Sequence, residues 1–139
     1  MPLLQKGVAA AANKMPKVIS PKVHAIADFA TVAGWGVMAG LFWKRNKRAA
    51  ISAMICGAAE LATSLITDYP GGVADVISLP THLKIDMGLG ATATALPNFM
   101  GFDGEAEAKW FRIQGLNITG VTAMTQPFEM PERRRMKAA

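Results

Sequence analysis

Four stretches of the chain run almost without charge: residues 29–43, 49–67, 87–102 and 113–128. Short clusters of Lys, Arg, Asp and Glu separate them, and the only formal charge inside them is Glu60. None carries the charged face, renewed at each turn, of a helix lying half in water. Each therefore predicts a helix that is apolar all round. In 139 residues four helices all reach the surface, so such helices are solvated by lipid and not by a large core. A spanning helix takes roughly 17–25 residues. The shorter stretches reach that length through one added turn, over Ala25 to Ala27, Leu83 to Ile85 or Trp110 to Arg112. The predicted fold is all-α, a four-helix transmembrane bundle.

Punctuation along the chain supports these limits. Pro16 and Pro21 bracket the start of the first span, and Trp43 followed by Lys44, Arg45, Lys47 and Arg48 closes it, an aromatic–cation interfacial anchor. Asp68-Tyr69-Pro70-Gly71-Gly72 stops the second span. Residues 73–80 read as a short amphipathic link, and Pro80 opens the third span. Pro97 is expected to kink that span near its end, residues 103–109 form a polar loop, and Pro127 stops the fourth span. Residues 1–20 read as an interfacial helix with Lys6, Lys14 and Lys17 at headgroups, or as a disordered tail. Their apolar run, Gly7 to Ala12, is too short and mild for a signal peptide. Residues 129–139 read as a charged tail.

The membrane domain, 21–128, repeats internally. His24-Ala-Ile-Ala-Asp28 and His82-Leu-Lys-Ile-Asp86 share a His-x-x-x-Asp pattern 58 residues apart. The same offset aligns Ile55 with Ile113, Gly57 with Gly115 and Thr67 with Thr125. The unit is a two-helix hairpin, about 21–69 and about 80–128, and the two copies have parallel topology.

Composition sharpens this picture only at its edges. Hydrophobic residues make up 51% and charged residues 18%, below the usual quarter. Intrinsic disorder is excluded, and a single cysteine, Cys56, excludes a disulfide scaffold. The net charge of +5 divides between the two ends of the predicted spans. The positive-inside rule then favours both termini in the cytoplasm. Arg133-Arg134-Arg135 has no aromatic interleaving and no DNA-binding motif around it, so no nucleic-acid partner is expected. The expected partners are membrane lipids, with a homo-oligomer or a larger membrane complex open.

Residues 19–29 (ISPKVHAIADF), 65–73 (LITDYPGGV), 79–89 (LPTHLKIDMGL) and 96–102 (LPNFMGF) together resemble small bacterial integral membrane proteins of the SPW-repeat type. Leu96 to Phe102 keeps the Pro, Gly and Phe of that family's span ending but not its Ser or Trp, and Met38 to Trp43 has no proline. The resemblance implies a duplicated two-helix unit with four spans in a bacterial inner membrane. It implies no activity.

Chemistry, if present, falls on few residues. His24 and Asp28, four apart, share a helix face, as do His82 and Asp86. One reading is structural: two separate pairs near the headgroups, each Asp favouring a helix N-terminus and each His satisfying it. The other is functional: ionisable groups in spans mark proton paths or ligand sites, or His24 and His82 hold a metal or haem between them. Glu60 is costly in mid-span unless neutral, paired or wet. Cys56, Glu60, Thr63 and Thr67 form one polar stripe, and Gln114, Asn117, Val121 and Thr125 a second, so the two are expected to face inward and bond across the bundle. The readings left standing are a structural or accessory membrane subunit without a cofactor, a proton- or ligand-binding module, and a metal or haem redox protein. An enzyme is the less favoured outcome.

Overall fold

A computed structural model describes residues 3, 6, 7 and 14–127. Most of the expected interfacial segment 1–20, and the whole tail 129–139, lie outside the described residues. Within them the fold is all-α, with four helices: α1 (Pro21–Phe42), α2 (Lys47–Leu65), α3 (Leu79–Phe99) and α4 (Glu107–Ala123). They pair most closely as two hairpins, α1 with α2 and α3 with α4.

Each hairpin begins in the same way. Ser20 and Ser78 are the N-caps of α1 and α3, and their hydroxyls accept from the amides of Val23 and Thr81. A proline follows at the first positions of each helix, where its missing N–H leaves no gap. α3 thus starts at Leu79, one residue before the proline read as its opening, and runs on through Pro97 to Phe99. It ends on a Schellman turn: Gly101 takes φ 71° and the Phe102 amide donates to the Pro97 carbonyl at 2.9 Å, a conformation that favours glycine.

Two expectations need correcting. The fourth apolar stretch, 113–128, is displaced: α4 starts at Glu107 and ends at Ala123. Residues 124–126 leave the helix because their backbone is used elsewhere. The Ile19 amide donates to the Met124 carbonyl (3.0 Å) and the Gln126 amide to the Ile19 carbonyl (2.8 Å). The link 73–80 is likewise not an amphipathic element. It folds back on the end of α2, with the Ile77 amide on the Ile66 carbonyl (3.0 Å) and the Asp68 amide on the Ile77 carbonyl (2.9 Å). These two clips match: Ile77, Ile66 and Asp68 each lie 58 residues from Ile19, Met124 and Gln126. One ties the end of α2 to the start of α3, the other ties the end of α4 to the start of α1.

At the opposite end a charged network closes the bundle. Asn46, the N-cap of α2, donates to Glu105 (2.6 Å), Arg45 pairs with Glu107 (3.2 Å) and Arg112 pairs with Asp103. Between the ends lies an aromatic and small-residue core. Trp35 is fully buried and packs on Phe111, with ring centroids 5.2 Å apart, and Phe111 packs on Phe102. Ala49, Ala50 and Ala53 are fully buried against this core.

Beside this apolar core, polar groups are buried and several large apolar side chains are exposed. The interior holds His24, Asp28, Glu60, Thr67, His82 and Asp86, whereas Ile26, Val37, Leu41, Ile55, Phe99 and Leu116 are exposed. By length and mean hydropathy, one helix among the described residues, α1, is long and apolar enough to cross a membrane. The Ala, Gly and Thr content of α2 and α3 lowers their hydropathy, and α4 has only 17 residues.

Close approach of α3 and α4 depends on glycine. A Cβ on Gly115 would meet Thr94 and would lie 2.7 Å from the Gly90 carbonyl oxygen, which is backbone and cannot swing aside. Gly36 has nothing within 4 Å. Gly115→Ala should therefore destabilise the fold by about 1–3 kcal/mol through overpacking, while Gly36→Ala should be neutral or mildly stabilising. Thermal unfolding of both variants under the same conditions checks the contrast.

Candidate metal centre

α1 and α3 carry the same pattern from the same capped start, so His24 and His82 lie one turn inside the bundle at the same end. Both imidazoles are fully buried. Their Nε2 atoms face each other at 3.3 Å. Asp28 brings Oδ1 to 3.2 Å from His24 Nε2 and Oδ2 to 3.1 Å from His82 Nε2. Asp86 Oδ2 lies 3.1 Å from His24 Nε2 and 2.9 Å from His82 Nε2. One ligand atom from each of the four residues falls within 4.8 Å of every other. The two His-x-x-x-Asp pairs are therefore not separate structural pairs at the headgroups. They form one buried cluster, because their helices turn the motif toward a common axis.

The far side of each ring fixes its tautomer. Thr125 Oγ1 lies 2.7 Å from His24 Nδ1 and 2.6 Å from the Val121 carbonyl oxygen. Thr67 Oγ1 lies 2.7 Å from His82 Nδ1 and 2.6 Å from the Thr63 carbonyl oxygen. A carbonyl oxygen only accepts, and a threonine hydroxyl has one proton. Each hydroxyl therefore donates to its carbonyl and accepts from the imidazole. Both Nδ1 atoms carry hydrogen, and a neutral ring then points an Nε2 lone pair at the centre. Two such lone pairs and two carboxylates would confront one another as acceptors only. The centre is electrostatically tenable with positive charge in it, either protons or a cation.

Tyr69 and Thr122 complete the surroundings. The Tyr69 hydroxyl donates to Asp28 Oδ2 at 2.7 Å. Burial pushes that phenol well above its ordinary value, so it stays protonated and keeps donating. Thr122 reaches Asp86 Oδ2 at 3.5 Å. Asp86 Oδ1 is buried with no hydrogen-bond partner. The residues present can hold a divalent cation by two imidazole nitrogens and two carboxylate oxygens. Four atoms about 2.0–2.1 Å from a tetrahedral ion lie about 3.3–3.4 Å apart; the imidazole–carboxylate contacts here are 2.9–3.2 Å, with Asp28 offering a different oxygen to each ring, and a set of one atom per residue falls within 4.8 Å. Haem does not fit, because two Nε2 atoms 3.3 Å apart between two carboxylates leave no slot for a porphyrin ring.

The other candidates divide. Glu60 is buried, but its partner is on α1: the Trp35 indole donates to Glu60 Oε2 at 3.1 Å. Gln114 is buried while Asn117 is exposed, and Asn117 reaches only Gln114 on its own helix, at 3.5 Å. The two polar stripes therefore do not bond to each other across the bundle, since the rotation of α4 turns Asn117 outward. Thr67 and Thr125 had been visible as an aligned pair, without their role as histidine partners. Tyr69 and Trp35 carried no sequence signal beyond a stop segment and an apolar run. No family model, curated protein or solved structure matches the chain, so the likeness to SPW-repeat proteins rests on its motif residues alone.

Thr67 offers a direct check of the tautomer lock. Thr67→Val keeps the shape but strands a buried Nδ1–H, and should cost about 1–3 kcal/mol. Thr67→Ser keeps the acceptor and should stay closer to wild type. Unfolding midpoints of the two variants, compared in the same detergent, give the answer.

Proposed function

We propose that this chain is a small membrane-embedded metal-binding protein, with one divalent first-row transition ion held by His24, Asp28, His82 and Asp86. The observation that carries the reading is the inward convergence of four acceptor atoms, with both histidine tautomers fixed from outside by Thr67 and Thr125. A divalent ion balances two carboxylates and leaves both imidazoles neutral. Hydrogen bonds on the outer ring nitrogen are the usual way a metal-ligating histidine is oriented. Mixed imidazole and carboxylate donors suit zinc, iron(II) or manganese(II) better than soft copper(I).

A membrane setting is supported by the exposed Ile26, Val37, Leu41, Ile55, Phe99 and Leu116 together with the ionisable groups held inside. Helices of 22, 19, 21 and 17 residues measure about 26–33 Å at about 1.5 Å per residue, near the roughly 30 Å of a hydrocarbon core. The matched caps, clips and His–Asp motifs at an offset of 58 residues support reading the hairpins as two copies of one unit. We read the ends of that bundle as before, with both termini cytoplasmic in a bacterial inner membrane. With a metal held, the role as a purely structural or accessory subunit gives way to that of a metal site within the membrane.

Protein purified in detergent without chelator should hold about one transition ion per chain, measured by elemental analysis. His24→Ala and His82→Ala should abolish it, and Thr125→Val should weaken affinity by about 10–100-fold while helical circular dichroism is kept. Absence of any bound ion, with none taken up from zinc, iron(II) or manganese(II), would sink the reading in favour of a proton-sharing cluster. The protein should also remain in the membrane pellet after an alkaline carbonate wash, and release into the supernatant would overturn the membrane setting.

A further inference from the structure

Beside the His–Asp cluster lies a second polar space. Asp28, Thr31, Glu60, Asp86, Asn117 and Thr122 line a small cavity with room for about one water. All four helices contribute to it. Two of its walls are the carboxylates of the metal centre. Its far wall is Glu60, 2% exposed and held from behind by the Trp35 indole. At its rim stands Asn117, which is exposed.

One observation sets this cavity apart from a packing defect. Asp86 is 2% exposed and lines it, yet Asp86 Oδ1 has no partner, since both imidazoles are on Oδ2. Across the cavity Glu60, also buried, accepts from Trp35 through Oε2. A buried carboxylate oxygen without a donor is costly, and a space of this size lined by Asp86 and Glu60 suits a molecule that can donate to both carboxylates. Water does so, with its oxygen lone pairs left for a cation.

We propose that this chamber holds the exchangeable water ligand of the ion bound by His24, Asp28, His82 and Asp86, with Glu60 as its positioning residue. The inference rests on the metal reading above. The water would donate one O–H to Glu60 and be renewed past Asn117. The ion then has one open position, and that position faces Glu60. Any oxygen ligand of water's size that replaces it would meet the same carboxylate. Of the four residues that would hold the ion, Asp28 and Asp86 border the cavity.

Manganese(II) is a suitable probe, because water bound to it and exchanging speeds solvent proton relaxation. Wild-type protein in detergent, loaded with about one manganese(II) per chain, should show inner-sphere enhancement of that relaxation. Glu60→Leu should keep the bound ion and lose about half or more of the enhancement, and Glu60→Gln, which still bonds to water, should retain most of it. Asn117→Trp, at an exposed position on the cavity lining, should slow the exchange. Enhancement unchanged in both Glu60→Leu and Asn117→Trp, or absent in the loaded wild type, overturns the inference and leaves the metal centre standing. Failure of the wild type to take up manganese(II), zinc or iron(II) overturns both.

Discussion

The structure depends on the cost of placing charge-bearing groups where water is scarce. Two imidazoles and two carboxylates are buried at one end of a bundle whose outer face is apolar. Each must be satisfied by another part of the chain. The solution is layered. The inner atoms face one another, the outer ring nitrogens are taken by Thr67 and Thr125, and Tyr69 donates to Asp28 Oδ2. Those three residues sit just past the ends of α2 and α4, so the helices must end where they do.

That requirement explains the shape of the connections. Thr67 and Thr125 are held by short parallel backbone pairings with Ile77 and Ile19. The clips fix where each threonine hydroxyl lies relative to the first turn of α3 and α1, which carries the histidine. Serine caps and prolines set the start of those helices and so the height of His24 and His82. Local signals at four separated places in the chain thus converge on one pair of ring nitrogens. The opposite end is closed by the buried Asn46 and Glu107 and by ion pairs with exposed arginines, of which the ones exposed on both sides contribute little each.

Much of this was legible in the sequence and some was not. Absence of charge marked all four helices, and the serine–proline starts lay close to the proline signals. The matched His-x-x-x-Asp motifs singled out all four ligand candidates. Their meeting was hidden, because spacing of four fixes a shared face but says nothing of what that face meets. Asn117 shows the same gap: a stripe drawn at 100° per residue places it beside Gln114, but the packing of α4 turns it outward. Residues 124–126 misled for a different reason. They are as free of charge as residues 113–123 before them, and their backbone bonds to Ile19 take them out of the helix. Thr67 and Thr125 did align at the common offset, and that alignment was the available sign that more than helix packing had been kept in register.

The clip between Ile19 and the end of α4 joins the first part of the described chain to the last. A chain made from its N-terminus exposes α1, with His24 and Asp28, long before residue 125 exists. During that interval the His24 ring has no threonine to accept from it, and Asp28 has no second histidine. The first hairpin alone is therefore an unfinished object, with its polar face open to water, lipid or a helper protein. Completion of the centre comes with the final helix, so the site reports that the whole bundle has been assembled.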